Sequence, residues 1–346
     1  MKDITSLAPP FVLSREQISQ LFGLLAEEAL MIGPVSQRGA VALAPVVRAS
    51  DLVDCIGSAA TPIKRFFHPP MQRVFMARRE NGRFALEDAG EPGKQAIFGV
   101  RPCDLHALTY LDRALIHDFR DPLYEEARRN TFIVAANCTE VAENCHCVSY
   151  GTGPEAKEGF DIALTNLGDG YLLEVGSRAG LDVAERMALH AAAEEDLETK
   201  RQRLAAAAEQ MRPSFDAAGV AELLSVNYRH LAWREEAAKC LGCGNCAMVC
   251  PTCYCYNVID KIAIPPDRVE RMRFWDVCLL QEFSEVHGAN FRLEREARYQ
   301  QFVCHKLVYS LDQYAMFGCV GCGRCMTWCP ADIDYRETVS RIREGQ

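Results

Sequence analysis

The sequence predicts an α+β fold, with an N-terminal α/β domain over residues 1–184, a helical connector over 185–235 and a helical, cysteine-rich domain over 236–346. In the first region, short apolar segments alternate with helical patterns, which is typical of an α/β domain. The second region is rich in Ala, Glu, Lys and Arg. The third contains two runs of cysteines with the same spacing.

The first elements are predicted from capping and turn residues. Ser14 and Gln17 form a capping box ahead of apolar residues at helical spacing, so we expect a helix to begin at Ser14. Gly33–Pro34 is expected to end that helix. Val41–Val47 predicts an edge strand, because Pro45 within it cannot donate a ladder hydrogen bond.

Two apolar segments, Ala96–Val100 and Thr131–Ala136, predict buried strands. Asp104 is the predicted N-cap of the helix that follows the first of them. Residues 162–175 predict a hairpin, since Gly168–Asp169–Gly170 separates two apolar segments. In the connector, we expect one long helix over residues 185–212 and a second over 217–239.

The bulk composition is that of an ordinary globular protein, with 346 residues, 49% hydrophobic and 25% charged. The net charge of −9 argues against nucleic acid or an anionic membrane surface as a partner. Met1–Val12 does not resemble a signal peptide, and no apolar segment approaches the ~20 residues of a membrane span. We therefore expect a cytoplasmic protein, where a reducing environment favours metal binding over disulfides for its 17 cysteines.

Two runs share the spacing C-x2-C-x2-C-x3-C-P, which is that of bacterial ferredoxins and predicts two [4Fe–4S] clusters. Zinc sites instead use two separated C-x2-C pairs. Three closely spaced cysteines can surround one cluster, whereas the fourth points toward the other cluster. We therefore expect cluster A to bind Cys240, Cys243, Cys246 and Cys329, and cluster B to bind Cys319, Cys322, Cys325 and Cys250. Glycines at 242, 244, 321 and 323 are expected to let the backbone approach the cluster sulfides.

The two runs are separated by 68 residues, which makes this an embedded, bacterial-ferredoxin-like dicluster domain with a long insertion over about residues 256–315. Residues 268–298 combine Arg and Glu with interleaved aromatic side chains. This composition suits either a helical cover that shields the clusters or a docking surface for a partner.

Four further cysteines follow the predicted N-terminal strands: Cys103, Cys138, Cys145 and Cys147. If the strands are parallel neighbours, their carboxyl ends bring these loops together. A third iron–sulfur cluster, a structural zinc ion and unligated buried thiols are all compatible with this set. Asp104 and His146 are close enough in sequence to serve as substitute ligands. No role is assigned to Cys253, Cys255, Cys278 or Cys304.

The chain has no G-x-G-x-x-G after a strand, no P-loop and no Ser–His–Asp pattern. These absences favour an electron carrier over a terminal catalyst, so we do not expect the chain to be catalytic alone. A catalytic N-terminal domain with its own substrate-binding cluster or flavin is the alternative.

Several segments together resemble the [4Fe–4S] dicluster β-subunits of cytosolic NAD(P)-linked nickel–iron hydrogenases, the sulfhydrogenases, and also the corresponding iron–sulfur subunits of anaerobic sulfite reductases. The segments are Phe98–Leu108, Asn137–Cys147, Asp161–Ser177, Cys250–Cys255 and Gly318–Cys325. The resemblance implies electron transfer between a catalytic partner and a flavin- and NAD(P)-binding subunit. Both branches share these motifs, so the motifs do not select the terminal enzyme; we favour a nickel–iron hydrogenase, with an anaerobic sulfite or sulfur reductase as the alternative. It adds weight to a third site at the four N-terminal cysteines.

Overall fold

A computed structural model describes residues 8–80, 82–90, 92–117, 119–211, 215–263 and 267–345. The strands are β1 (Phe11–Ser14), β2 (Leu30–Gln37), β3 (Ala40–Pro45), β4 (Met71–Glu80), β5 (Arg83–Asp88), β6 (Gln95–Val100), β7 (Thr131–Ala136), β8 (Ile162–Asn166), β9 (Gly170–Val175), β10 (His190–Ala191), β11 (Tyr256–Ile262), β12 (Arg268–Trp275), β13 (Glu285–Val286) and β14 (Ala289–Asn290). The α-helices are α1 (Gln17–Ala26), α2 (Pro102–Asp112), α3 (Pro122–Arg129), α4 (Arg178–Glu185), α5 (Glu194–Gln210), α6 (Val220–Val226), α7 (Leu231–Lys239), α8 (Asn245–Met248), α9 (Arg295–Cys304), α10 (Ser310–Tyr314), α11 (Arg324–Thr327) and α12 (Tyr335–Glu344).

The N-terminal region is built on a mixed sheet of eight strands in the order β10-β1-β9-β8-β7-β6-β2-β3. Its centre is parallel, since β6 pairs in parallel with both β2 and β7, and β7 pairs in parallel with β8. The predicted buried strands, β6 and β7, are therefore adjacent and parallel. The predicted hairpin is confirmed as the antiparallel pair β8–β9, and the predicted edge strand is confirmed as β3.

Helices cover both faces of this sheet. Side chains alternate along β6, so that Ala96 and Phe98 pack with α1 and α4, while Ile97 and Val100 pack with α2 and α3. A strand buried on both faces needs an apolar residue at nearly every position, which explains the continuous apolar run in the sequence. The loops that follow β6 and β7 therefore lie next to each other, at the carboxyl ends of these two central strands.

The first helix is shorter than predicted. Ser14 and Gln17 do exchange the two hydrogen bonds of a capping box, at 2.9 and 3.3 Å, and α1 follows directly. The expectation that Gly33–Pro34 ends this helix is wrong, because both residues lie within β2. Pro34 pairs in register with Leu43 of β3, but the pairing of β2 with β6 has already stopped at Ile32, so the missing N–H of Pro34 is tolerated there.

The insertion between the cysteine runs is not a helical cover in its first half. Instead, β11 and β12 form a hairpin that joins β4 and β5 of the N-terminal region in a four-stranded antiparallel sheet, in the order β11-β12-β4-β5. The prediction failed because the edge of β4 offers unpaired backbone groups, and pairing with them outweighs local helix propensity. The sheet ties the insertion to the N-terminal region.

The connector differs from its prediction in its helix boundaries. The long helix is α5, which begins at Glu194, and Lys200 within it binds Glu174 of β9 at 2.7 and 2.8 Å. The predicted second helix is divided into α6 and α7 by a turn at Asn227, whose carbonyl accepts a hydrogen bond from Trp233. Among the described residues, no helix combines the length and apolarity that crossing a membrane requires.

Candidate metal centres

All 17 cysteines lie among the described residues, and all are free thiols. Twelve of them, which are the predicted ligands, surround three neighbouring cavities. Among the described residues, no three His, Cys, Asp or Glu side chains converge closely enough to bind a single metal ion. The thiols therefore stand apart around each space rather than meeting at one point.

Cavity A is lined by the first three cysteines of the first run and by the last cysteine of the second. These are Cys240, Cys243, Cys246 and Cys329, joined by Cys325. The short helix α8 begins inside the first run and α11 inside the second, and the two helices pack against each other. That packing carries the fourth cysteine of the second run across to the first.

Cavity B is the counterpart of cavity A. It is lined by Cys319, Cys322 and Cys325 of the second run and by Cys250, the last cysteine of the first run. The structure thus brings together both predicted sets of four, including the two crossed members. Tyr335, Phe302 and Cys325 line both cavities, so a single layer of side chains separates them.

The thiols around these cavities suit a cationic inorganic group. Burial raises the pKa of the Cys322 thiol to about 12 and raises that of Cys325 well above its usual range. Such thiols become thiolates only when a metal compensates the desolvation of the negative charge. Cys250 is the exception, since a hydrogen bond from Cys253, with Lys306 and Lys64 nearby, lowers its pKa.

Cavity C lies where the N-terminal region meets the second run. Its cysteines are the four that follow β6 and β7, namely Cys103, Cys138, Cys145 and Cys147, and Cys322 of the second run lies at the same cavity. The guanidinium of Arg101 also lines it, and its Nη1 donates to the carbonyl oxygens of Ala136 and Asn137. A cation against four thiols complements the negative charge that a thiolate-bound cluster would carry.

The glycines of the second run have a role that the sequence did not reveal. Gly321 has a φ of +62°, and a Cβ there would lie 2.6 Å from the backbone of Cys147 and the carbonyl oxygen of His146. A Cβ at Gly323 would lie 2.5 Å from the carbonyl oxygen of Asn144. These two glycines let the loop of cavity C approach the second run.

Comparison with known proteins agrees with this geometry. A family model described as a 4Fe-4S dicluster domain matches residues 239–333. Sulfhydrogenase 2 subunit beta of Pyrococcus furiosus is 34% identical over 337 residues, which cover 96% of this chain and 98% of the relative. The chain belongs to the sulfhydrogenase β-subunit family. No solved structure matches the chain.

In this sulfhydrogenase β-subunit family member, similarity extends over nearly the whole chain and thus beyond the segments that first carried the resemblance. The dicluster domain indicates two [4Fe–4S] clusters, and all eight cysteines of the two runs, which line cavities A and B, lie within the matched residues.

The sequence predicts two roles for Asp104, as a helix N-cap and as a substitute metal ligand, but the structure places its carboxylate in an ion pair. It is not the N-cap of α2, which begins at Pro102 after Arg101. Its carboxylate instead binds Arg324 of the second run through two hydrogen bonds of 2.8 Å, with both residues almost fully buried. Asp104 is therefore committed to an ion pair between the N-terminal region and the dicluster domain.

Both ring nitrogens of His146 have hydrogen-bond partners, so His146 is not placed as a metal ligand. Its Nδ1 lies 2.9 Å from the carbonyl oxygen of Asn144 and its Nε2 lies 2.7 Å from the hydroxyl of Tyr335. Burial lowers its pKa to about 4, so the ring is neutral. Tyr335 in turn lies 3.3 Å from the sulfur of Cys319, which connects the loop of cavity C to cavity B.

Sequence reasoning missed a further group. Cys253, Cys255, Cys278 and His305 line one cavity together, although they are spread over 53 positions of the chain. The C-x-C spacing of the first two was the available signal. Cys304, by contrast, is fully buried in the apolar core of the dicluster domain.

Proposed function

We propose that the chain carries electrons between the catalytic subunit of a nickel–iron hydrogenase and a flavin- and NAD(P)-binding reductase subunit, within a cytoplasmic complex. The observation that carries this proposal is the continuity of the three cavities. Cys322 lines both cavity C and cavity B, and Cys325 lines both cavity B and cavity A.

The proposed ligands follow from that arrangement. Clusters A and B take the crossed sets of four cysteines given above, and a third iron–sulfur cluster takes Cys103, Cys138, Cys145 and Cys147. When bound, clusters of this kind accept and release one electron at a time. The protein supplies thiolates, excludes water and places Tyr335 and Phe302 between cavities A and B.

The two ends of the proposed relay differ in exposure. At cavity A, Cys243 is exposed and the neighbouring side chain of Leu241 is 65% exposed. At cavity C, Cys103, Cys138 and Cys147 are buried. Since an electron crosses between proteins most readily where a cluster approaches the surface, we place a partner subunit over Leu241 and Cys243.

Iron counting tests the number of clusters. Anaerobically purified chain should lose about four irons and four acid-labile sulfides when Cys138 and Cys145 are both replaced by Ala, since a [4Fe–4S] cluster carries four of each. The matched control is Cys304→Ala, which removes a buried thiol that lines no cavity considered in this proposal. Unchanged iron in the double variant would remove the third cluster from the relay.

The crossed assignment has its own test. In a Cys250→Ser variant, the EPR signal of cluster B should change while that of cluster A persists. A change confined to cluster A would reverse the assignment. The relay role itself predicts no oxidation of NAD(P)H by the isolated chain, and sustained oxidation by chain that lacks flavin would contradict it.

A further inference from the structure

A fourth cavity, cavity D, lies beside cavity B and is used by none of the proposed ligands above. It is lined by Cys253, Cys255, Cys278 and His305, together with Lys306. Its volume lies between those of cavity B and cavity C. Its size is therefore that of the cavities assigned to clusters.

The three cysteines line one cavity because they lie at the base of one hairpin. Cys253 and Cys255 precede β11, and Cys278 follows β12. The backbone N–H of Asp276 donates to the carbonyl oxygen of Cys255 at 3.2 Å, so the two segments stay hydrogen-bonded beyond the open end of the β11–β12 hairpin. The segment that precedes β11 thus brings both Cys253 and Cys255 to the cavity, and Cys278 joins them from the other end of the hairpin.

His305 reaches the same cavity from a separate helical segment. It begins a π-helical turn, His305–Tyr309, that interrupts the helix after α9. Turns of this kind commonly mark functional sites, because they re-aim side chains within a helix. Here the turn places both His305 and Lys306 against cavity D.

The charges around cavity D favour an anionic group within it. Lys64 is 2% exposed, and its Nζ donates to the carbonyl oxygens of Ala247 and Cys253 at 3.1 and 2.8 Å. The Nζ of Lys306 lies 3.1 Å from the Thr252 hydroxyl. Among the described residues, neither ammonium group has a carboxylate within 4 Å. Buried charges need partners, and Cys250 of cavity B, which lies near both lysines, is one of them. Metal-bound thiolates in cavity D would add further negative charge beside the same two ammonium groups.

We propose that Cys253, Cys255, Cys278 and His305 bind an additional [4Fe–4S] cluster in cavity D. The side chains surround the space without converging at one point, as at cavities A to C, so a polynuclear cluster fits better than a single zinc ion.

The proposed site does not depend on the relay proposed above. If it holds a cluster, however, it adds a further redox centre next to cluster B. Phe302 and Lys306 line both cavity D and cavity B. Cluster B would then have three neighbours, in cavities A, C and D. Cavity D lies at the base of the β11–β12 hairpin. An additional cluster there would add a side branch to the path of electrons through cavities A, B and C.

Metal analysis of the full chain is the first test. A Cys255→Ala/Cys278→Ala variant should lose about four irons and four acid-labile sulfides per chain relative to the unsubstituted protein. Cys304→Ala should retain them, because it removes a fully buried thiol that lies directly before His305 but does not line cavity D. Equal iron and sulfide in the double variant and the unsubstituted chain would overturn the proposal, as would the loss of one zinc with no sulfide.

The histidine ligand has a separate signature, which also serves if the double variant fails to fold. Pulsed EPR of the reduced, unsubstituted chain should detect a directly coordinated imidazole nitrogen. His305→Cys should abolish that coupling while the iron content stays constant, because a thiolate replaces the ring. Absence of nitrogen coupling in the unsubstituted chain would overturn the assignment of His305. Neither readout uses partner subunits, so failure here is distinguishable from failure of the relay.

Discussion

The two cysteine runs have identical spacing but very different surroundings. In the first run Leu241 is 65% exposed and Cys243 is exposed, and a Cβ at Gly242 would meet only the tip of Arg298, at 3.8 Å. In the second run the residue equivalent to Leu241 is Val320, which is 2% exposed. The same cluster-binding loop therefore faces outward in one copy and inward in the other.

The difference shows what each copy does besides binding iron. The position equivalent to Asn245 is Arg324, whose guanidinium is buried against Asp104 of the N-terminal region. The second run is thus also the joint between the two halves of the protein. The first run is left exposed at Leu241 and Cys243, where the proposed relay places a partner subunit.

The largest expected effect comes from the buried ion pair. Asp104→Asn leaves the Arg324 guanidinium buried without its countercharge, which should lower the free energy of unfolding by about 3–5 kcal/mol. Asp260→Asn is the matched control, because Asp260 binds Arg271 with the same two-bond geometry on the surface. Anaerobic denaturant unfolding measures both. Equal losses in the free energy of unfolding would contradict the prediction, because the buried pair would then stabilise the protein no more than the surface pair does.

The next effect separates backbone strain from crowding. Gly321 and Gly242 have similar φ values of +62° and +68°, but only at Gly321 would a Cβ meet backbone atoms. Ala at either position should cost about 1–2 kcal/mol for the left-handed backbone. Gly321→Ala should cost about 1–3 kcal/mol more for overpacking. Thermal unfolding gives the comparison, and equal melting temperatures would contradict the close approach of residues 144–147.

A smaller effect is expected at the equivalent apolar positions. Val320→Ala removes two buried methyl groups packed against Cys103 and Cys147, which should cost about 1–2 kcal/mol. Leu241→Ala should leave the free energy of unfolding unchanged but slow electron transfer in the assembled complex. Stopped-flow reduction of the complex measures that rate. An unaffected rate would place the partner elsewhere.

The smallest effect concerns redox tuning. Tyr335→Phe removes a hydroxyl 3.3 Å from the Cys319 sulfur, and hydrogen bonds to cluster sulfurs raise the potential. We expect the potential of cluster B to fall by some tens of millivolts, with no loss of iron. Tyr299→Phe is the control, since its hydroxyl bonds to Thr338 although its ring also lines cavity A. Potentiometric EPR titration distinguishes the two variants.

Much of the site could be predicted from local sequence. The spacing of each run and the glycines within it are encoded within a dozen residues, because the loop around a cluster is short. The strands β6 and β7 are equally predictable, since burial on both faces leaves a continuous apolar run. The capping box at Ser14 and Gln17 is likewise local, and the structure confirms it.

The failures share a physical cause. Local sequence does not predict the β11–β12 hairpin, because its stability comes from pairing with β4, which lies about 190 positions earlier in sequence. Asp104 resembles a helix cap because nothing nearby reveals its partner 220 positions away. His305 appears isolated in the sequence because a π-helical turn decides where its ring points.

The sequence by itself determined the two cluster-binding loops, because both the ligands and the turns that present them lie within a short segment. It also placed four cysteines at the ends of β6 and β7. Only the tertiary structure decided that those cysteines share a cavity with Cys322, that one run faces outward and the other inward, and that three further cysteines and a histidine surround cavity D. Such contacts join residues far apart in the chain, and packing of the whole protein selects them.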